Sequence, residues 1–123
     1  MPLSPYDPSN IFAKILRGEI PCNKVYEDEF ALAFRDIAPQ AKVHTLVIPK
    51  GAYVSFDDFS TQASDAEIIG FVRAVQKTAA LEGVVESGYR LLANHGVDGG
   101  QEVPHFHVHI AAGERLGALV SRR

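Results

Sequence analysis

Three of the chain's five histidines fall at alternate positions within "QEVPHFHVHIAAG", residues 101 to 113, where Phe106 and Val108 separate His105, His107 and His109. Imidazole is the side chain whose ordinary pKa lies nearest neutrality, so it serves as base, acid, nucleophile or metal ligand. In an extended segment successive side chains alternate faces. The row therefore presents imidazoles on one side while Phe106, Val108 and Ile110 enter a core on the other. Same-face neighbours stand roughly 6.5 to 7 Å apart along a strand. Three such histidines do not readily close on one metal ion, whereas two adjacent ones do when a third ligand arrives from elsewhere. The other use is a central imidazole flanked by two more, which fix its tautomer, position a substrate oxygen and supply a proton.

Directly upstream, Gly99 and Gly100 permit backbone to come close to a ligand and to turn successive N–H groups toward an anion, although two glycines serve equally as a plain turn. Ahead of three histidines they read as a phosphate cradle beside a neutral imidazole. That pairing points to in-line attack on phosphorus and a covalent phospho-histidine that water later opens.

Such a row needs a scaffold, and the rest of the chain supplies one. "PSNIFAKILRGEIP" offers the caps Ser9 and Asn10, places Ile11, Phe12, Ile15 and Leu16 on one face, and stops at Gly18 before Pro21. A short amphipathic helix is expected there. "KVYEDEFALAFRDI" alternates Phe30, Leu32 and Phe34 after an Asp28/Glu29 turn and reads as two hairpin strands, with "HTLVIPK" as a third. "SDAEIIGFVRAVQKTAALEG" carries a capping box, Ser64 with Glu67, and apolar Ile68, Val72, Val75 and Ala79 at helical spacing. "YRLLAN" and "HFHVHIAA" close the set as strands around the turn "HGVDGG". The expected fold is α+β, a mostly antiparallel sheet of about five strands packed by one long helix, with a short N-terminal helix.

A chain of 123 residues has the size of one domain, and its composition, 46% hydrophobic and 22% charged, is that of a globular protein. One domain over 1–123 is expected. A net charge of −3 gives no general attraction to nucleic acid or anionic lipid, so an anionic ligand must be held by local geometry. Cys22 has no second cysteine to pair with, and "MPLSPYDPSN" lacks the apolar core of a secretion signal. No apolar run approaches membrane-spanning length. A cytoplasmic protein with no nucleic-acid or membrane partner is expected.

"HFHVHIA" fits the alternating His/hydrophobic signature of the histidine-triad nucleotide hydrolases and transferases. "NIFAKILRGEIP", "VYEDEFALAFRDIAPQAKVHTLVIPK" and "NHGVDGGQEVPHFHVHI" resemble successive blocks of that family's nucleotide-binding, Hint-like branch, so the resemblance covers nearly the whole chain. It implies a purine nucleotide-binding hydrolase that cleaves adenosine phosphoramidates through a nucleotidyl intermediate, with no cofactor or catalytic metal, and a homodimer. By position, it makes His107 the nucleophile and His109 the phosphate contact that helps protonate the leaving amine, with His105 and His44 in support. It also implies that Asn94, Gly100, Gln101 and the Glu102 backbone surround the phosphate, that Asp36 holds the ribose hydroxyls, and that Ile11, Phe12, Ile15, Phe34 and Ile37 line the base pocket.

Read without the family, Asp36 is a turn former, Ile11, Phe12 and Ile15 are core, His44 is a structural histidine, and His95 has no role. Asn10 and Ala13 stand where some members carry a Cys-x-x-Cys zinc pair, so no metal is expected. The tail "GERLGALVSRR" lacks the Trp-containing end of animal members. Two other readings stay open: a nucleotide-binding or partner-binding module with incidental hydrolysis, and a metal-dependent enzyme built on a His-x-His pair.

Overall fold

The structure is a computed structural model and describes residues 5–120. The expectations that rest on the whole span 1–123, and on the end of the tail, therefore reach residues outside those described. Helix α1 (Ile11–Leu16) is followed by β1 (Lys24–Glu27), β2 (Ala31–Arg35) and β3 (Val43–Pro49), then α2 (Phe56–Gln62), α3 (Asp65–Leu81), β4 (Tyr89–Leu92) and β5 (Val108–Ala112). The five strands form one sheet in the order β1-β2-β3-β5-β4, and every neighbouring pair is antiparallel. The expected α+β architecture is observed.

The period of two along the central strands sorts residues between two cores. Ala31, Ala33, Val47, Phe106, Ile110 and Ala112 face the helices, where Phe59 of α2 and Phe71 and Val75 of α3 meet them. The alanines of β2 leave room for the helix to lie close. Leu32, Phe34, Leu46 and Ile48 face the other way and are covered by Phe12 of α1. Phe106 is the anchor of the helix side, stacked on Phe59 at 5.0 Å and tilted on Phe71 at 5.3 Å. Burying such a ring stabilises the fold by roughly 1.5–3 kcal/mol. His107 and His109 share the α1 side with Leu46 and Phe34, so these two candidate site residues lie on the sheet face opposite α3.

Several expectations need correction. Of the two candidate caps, Asn10 is the one that caps α1, its side-chain oxygen accepting from the Ala13 N–H at 2.9 Å. In so short a helix Phe12 and Ala13 are buried and Ile15 and Leu16 partly buried, which leaves Ile11 43% exposed. The Ser64/Glu67 capping box forms as expected. On α3, however, the buried residues are Phe71, Ala74, Val75, Thr78 and Ala79, and Val72 points outward at 61% exposure. Helix α2 was not anticipated. Strand β5 starts at Val108 rather than His105, because the preceding backbone is engaged elsewhere. Pro104 has no N–H, and the Phe106 N–H bonds the Tyr53 carbonyl at 2.8 Å instead of a sheet neighbour.

Candidate active site

Where β3 and β5 pair on the α1 side, His44 lies opposite Ala111 and Leu46 opposite His109. A cleft of about 430 Å³ opens there, lined by His44, His107 and His109 together with Asp36, Asn94, Gly100, Glu102 and others. Phe12 closes one wall and sets its ring edge-on to His107 with centroids 5.0 Å apart.

Backbone groups decide how each imidazole is protonated, because an amide N–H only donates and a carbonyl only accepts. Nδ1 of His107 lies 2.8 Å from the His105 carbonyl and must carry the proton. Its Nε2 is left with a free lone pair. Nδ1 of His44 accepts from the Gln40 N–H at 2.9 Å, so its Nε2 carries the proton and donates to Nδ1 of His109 at 2.9 Å. His109 therefore holds its own proton on Nε2. The rings of His107 and His109 are 5.0 Å apart, and they offer complementary groups, a lone pair on one and an N–H on the other. The backbone, rather than the flanking imidazoles, fixes the central tautomer.

Burial favours the neutral form of His105, His107 and His109. Desolvation pushes His109 down to about 4, helped by the neighbouring imidazoles of His107 and His44 and opposed by Asp36. The same cause lowers His107, against the pull of the His105 carbonyl and of the Asp36 and Glu102 carboxylates. His105 does not reach the cleft. It is fully buried behind the cleft, donates from Nε2 to the Pro49 carbonyl at 2.8 Å, and is held down to about 4 by desolvation.

Asp36 forms the turn expected of it and also faces the cleft. One oxygen accepts the Ala38 N–H at 2.8 Å in an Asx turn, and the other lies 3.5 Å from His44 Nε2 at the cleft. Gln101 braces its own loop instead of facing the cleft, donating to the Val54 and Val103 carbonyls at 2.6 and 3.1 Å and accepting the Gly96 N–H. Gly99 serves packing. A Cβ there would sit 2.4 Å from the His95 carbonyl oxygen, so the close approach is to the loop's own backbone and not to a ligand. Gly100 does line the cleft, with φ +74° and open space around its Cα.

Ile37 points outward, 96% exposed, and Ile11 is half exposed. Ile15 and Phe34 lie behind Phe12 in the core and do not line the cleft. Ala38, Gln40, Leu46 and Val103 line it without having been anticipated. Leu46 was legible from its parity with His44 on β3, whereas Gln40 contributes a backbone N–H that any residue would supply. His95, given no role, bonds the Ser55 hydroxyl through Nδ1 at 2.8 Å and so ties the glycine loop to the start of α2.

By distance alone, Asp36, His44 and His109 offer ligand atoms within 4.8 Å of one another. Two of those atoms, His44 Nε2 and His109 Nδ1, already face each other in a hydrogen bond. A metal ion bound by both would have to replace the proton between them.

The family model for the HIT domain matches residues 17–116. The chain belongs to the HIT-domain family. An uncharacterised HIT-like protein of Azospirillum brasilense is 61% identical over 95% of this chain and 96% of its own length. The purine nucleoside phosphoramidase of Escherichia coli is 42% identical over 92% of this chain and 94% of its own. Among solved structures, a histidine triad protein from Clostridium difficile superposes with a TM-score of 0.84 at 41% identity, covering 93% of this chain and 98% of that one. A HIT family hydrolase from Clostridium thermocellum gives 0.83 at 36% identity, over 92% and 97%. The expectation of a histidine-triad enzyme is met, and this HIT protein is a hydrolase by family.

Proposed function

We propose that this HIT protein binds a purine nucleotide and hydrolyses nucleoside phosphoramidates through a nucleotidyl intermediate on His107. The observation that carries the reading is the pair of complementary tautomers at the cleft, a lone pair on His107 Nε2 beside an N–H on His109 Nε2. The first attacks phosphorus, and the P–N bond to the amine breaks as the amine takes a proton from the second. The His107 ring then bears the positive charge of an N-phosphoryl imidazolium, and a proton from solvent replaces the one His109 has given up, so that His109 stays neutral. Water adds to phosphorus, its proton passes by way of His109 to solvent, and the bond to His107 breaks with the electron pair restored to Nε2. Asn94, Gly100, Gln101 and Glu102 belong to the loop that would hold the phosphate, and Asp36 is in reach of a ribose. The base would rest against Phe12, Leu46 and Val103, with the exposed Ile11 and Ile37 next in the chain to cleft residues. The name of the Escherichia coli relative supports a purine nucleoside phosphoramidate as substrate.

Rapid acid-free quenching with an activated adenylate is expected to trap one nucleotide per chain in an acid-labile, base-stable bond. No trapped label during turnover would overturn the mechanism. A metal-dependent reading has the Asp36, His44 and His109 cluster in its favour. Chelation separates the two, since activity through His107 is expected to be unchanged in EDTA, and loss reversed by zinc would favour the metal.

The homodimer has a surface to form on. Beside edge strand β4, an apolar hollow of about 550 Å³ is lined by Phe56, Val72, Leu91 and Val108 among others, and Phe56, Val72 and Leu91 are each at least half exposed. A second copy laying its own α3 and β4 there would cover both patches. Sedimentation is expected to give a dimer, and Leu91→Lys a monomer. No helix among the described residues is long and apolar enough to cross a membrane, and the single thiol of Cys22 suits a reducing cytoplasm.

A further inference from the structure

The segment ahead of α1 carries a side chain that reaches the histidine row. Tyr6 donates its hydroxyl proton to Nδ1 of His105 at 2.7 Å and sets its ring edge-on to that imidazole at 5.6 Å. The direction of the bond is fixed. His105 Nε2 must carry the ring proton to satisfy the Pro49 carbonyl, so Nδ1 accepts. Both ring nitrogens of a fully buried imidazole are thereby held, one by β3 and one by Tyr6.

His105 then acts through its backbone, because its carbonyl is the group that receives Nδ1–H of His107. The approach of Tyr6 is itself pinned. The Asp7 carboxylate takes the Ser9 N–H and hydroxyl at 2.9 and 2.7 Å, the Asp7 carbonyl takes the Asn10 amide at 2.7 Å, and Arg17 reaches back to the Pro8 carbonyl at 2.8 Å. Tyr6 lies outside residues 17–116, the span matched by the HIT-domain model.

We propose that Tyr6 is a positioning residue for the reaction at His107. Its hydroxyl locks the His105 ring and with it the carbonyl that keeps the His107 lone pair turned toward the cleft. The proposal rests on the hydrolase reading for its kinetic consequence and on geometry alone for its structural one, so the two are measured separately. Tyr6→Phe keeps the ring and removes the hydroxyl.

With an adenosine phosphoramidate, kcat is expected to fall about tenfold while KM stays within roughly twofold, since the loss is in alignment rather than in ground-state contact. In nitrogen NMR of the full chain, the His107 Nδ1–H is expected to exchange with solvent at least about tenfold faster, and the His105 Nδ1 resonance to lose the shift of a hydrogen-bonded acceptor. An unchanged kcat with unchanged ring resonances overturns the proposal. So does a lower kcat accompanied only by a lower melting temperature, with the rings undisturbed. If wild type turns over no phosphoramidate, the hydrolase reading fails on that result, and the ring resonances still decide the role of Tyr6. Should Tyr6→Phe not fold, site-specific 3-fluorotyrosine at position 6 keeps the contact and strengthens the donor. It is expected to move the His105 Nδ1 resonance, and no movement counts against the proposal.

Discussion

At the scale of single residues, the site separates groups that act from groups that hold. His107 presents its lone pair because a carbonyl two residues earlier holds its proton, and His109 presents a proton because His44 points one nitrogen at it. Replacing His107 by the near-isosteric Asn removes the proposed nucleophile and little else. His107→Asn is expected to bind AMP within roughly 1 kcal/mol of wild type, since it loses little ground-state contact. Turnover is expected to fall at least about 1,000-fold, because no other side chain at the cleft presents such a lone pair to phosphorus. Calorimetry and single-turnover kinetics on the same preparation check both halves. Asp36 poses a finer problem, because it both builds a turn and faces the cleft. If it also accepts from ribose hydroxyls, Asp36→Ala is expected to weaken AMP binding by about 1.5–3 kcal/mol, and 2',3'-dideoxy-AMP binding hardly at all. Equal losses for the two ligands would leave Asp36 with the turn alone.

At the scale of elements, the glycine loop is positioned by α2, the one helix the sequence reading did not supply. Gln101 bonds the Val54 carbonyl, His95 bonds the Ser55 hydroxyl, and the Asp58 carboxylate takes the N–H groups of both Val54 and Ser55 at 2.7 Å. Gly99 lets this loop close on itself. Because the obstacle to a Cβ is the His95 backbone rather than a flexible side chain, Gly99→Ala must displace the loop that carries Asn94, Gly100 and Glu102. A KM increase of about tenfold with a smaller change in kcat is expected, alongside about 1–3 kcal/mol of lost stability from the overpacked turn. Steady-state kinetics and a denaturant melt read the two effects.

What was legible follows the same division. The alternation of His105, Phe106, His107, Val108 and His109 announced two faces, since a period of two belongs to any extended chain. The signal for α2 was also present, Ser55 followed by Asp58 at capping-box spacing. A seven-residue helix of aromatic and short polar residues gives too little periodicity to stand out, however. The groups that set the tautomers, the His105 and Pro49 carbonyls and the Gln40 N–H, were hidden because every residue type but proline carries both. Ile11 and Ile37 resemble base-pocket residues by their place in the motif, and both are exposed.

At the scale of the whole molecule, a core built around neutral imidazole makes folding depend on pH. His105 has an ordinary pKa near 6.5 and is held down to about 4 in the fold, chiefly because it is buried. The unfolded chain therefore takes up a proton at this position over a range in which the native chain does not. The stability that His105 contributes is fully present above about 6.5, falls as pH drops from there toward 4, and is entirely lost below the native value. By pH 5 its share of the loss is about 2 kcal/mol, and the complete loss is on the order of 3 kcal/mol. His107 and His109 are lowered by the same cause and add in the same direction. Carboxylates held low by their partners, such as Glu67 with Ser64 and Tyr53, also lose stability in acid, but only below their ordinary pKa of 4.5. The two contributions thus occupy different windows. Equilibrium unfolding in urea is expected to show stability declining between pH 6.5 and 5, before the carboxylates take part. His105→Gln, which can still accept from Tyr6 and donate to Pro49, is expected to flatten that decline by about the His105 share. An equally steep decline in the variant would place the acid sensitivity elsewhere in the fold.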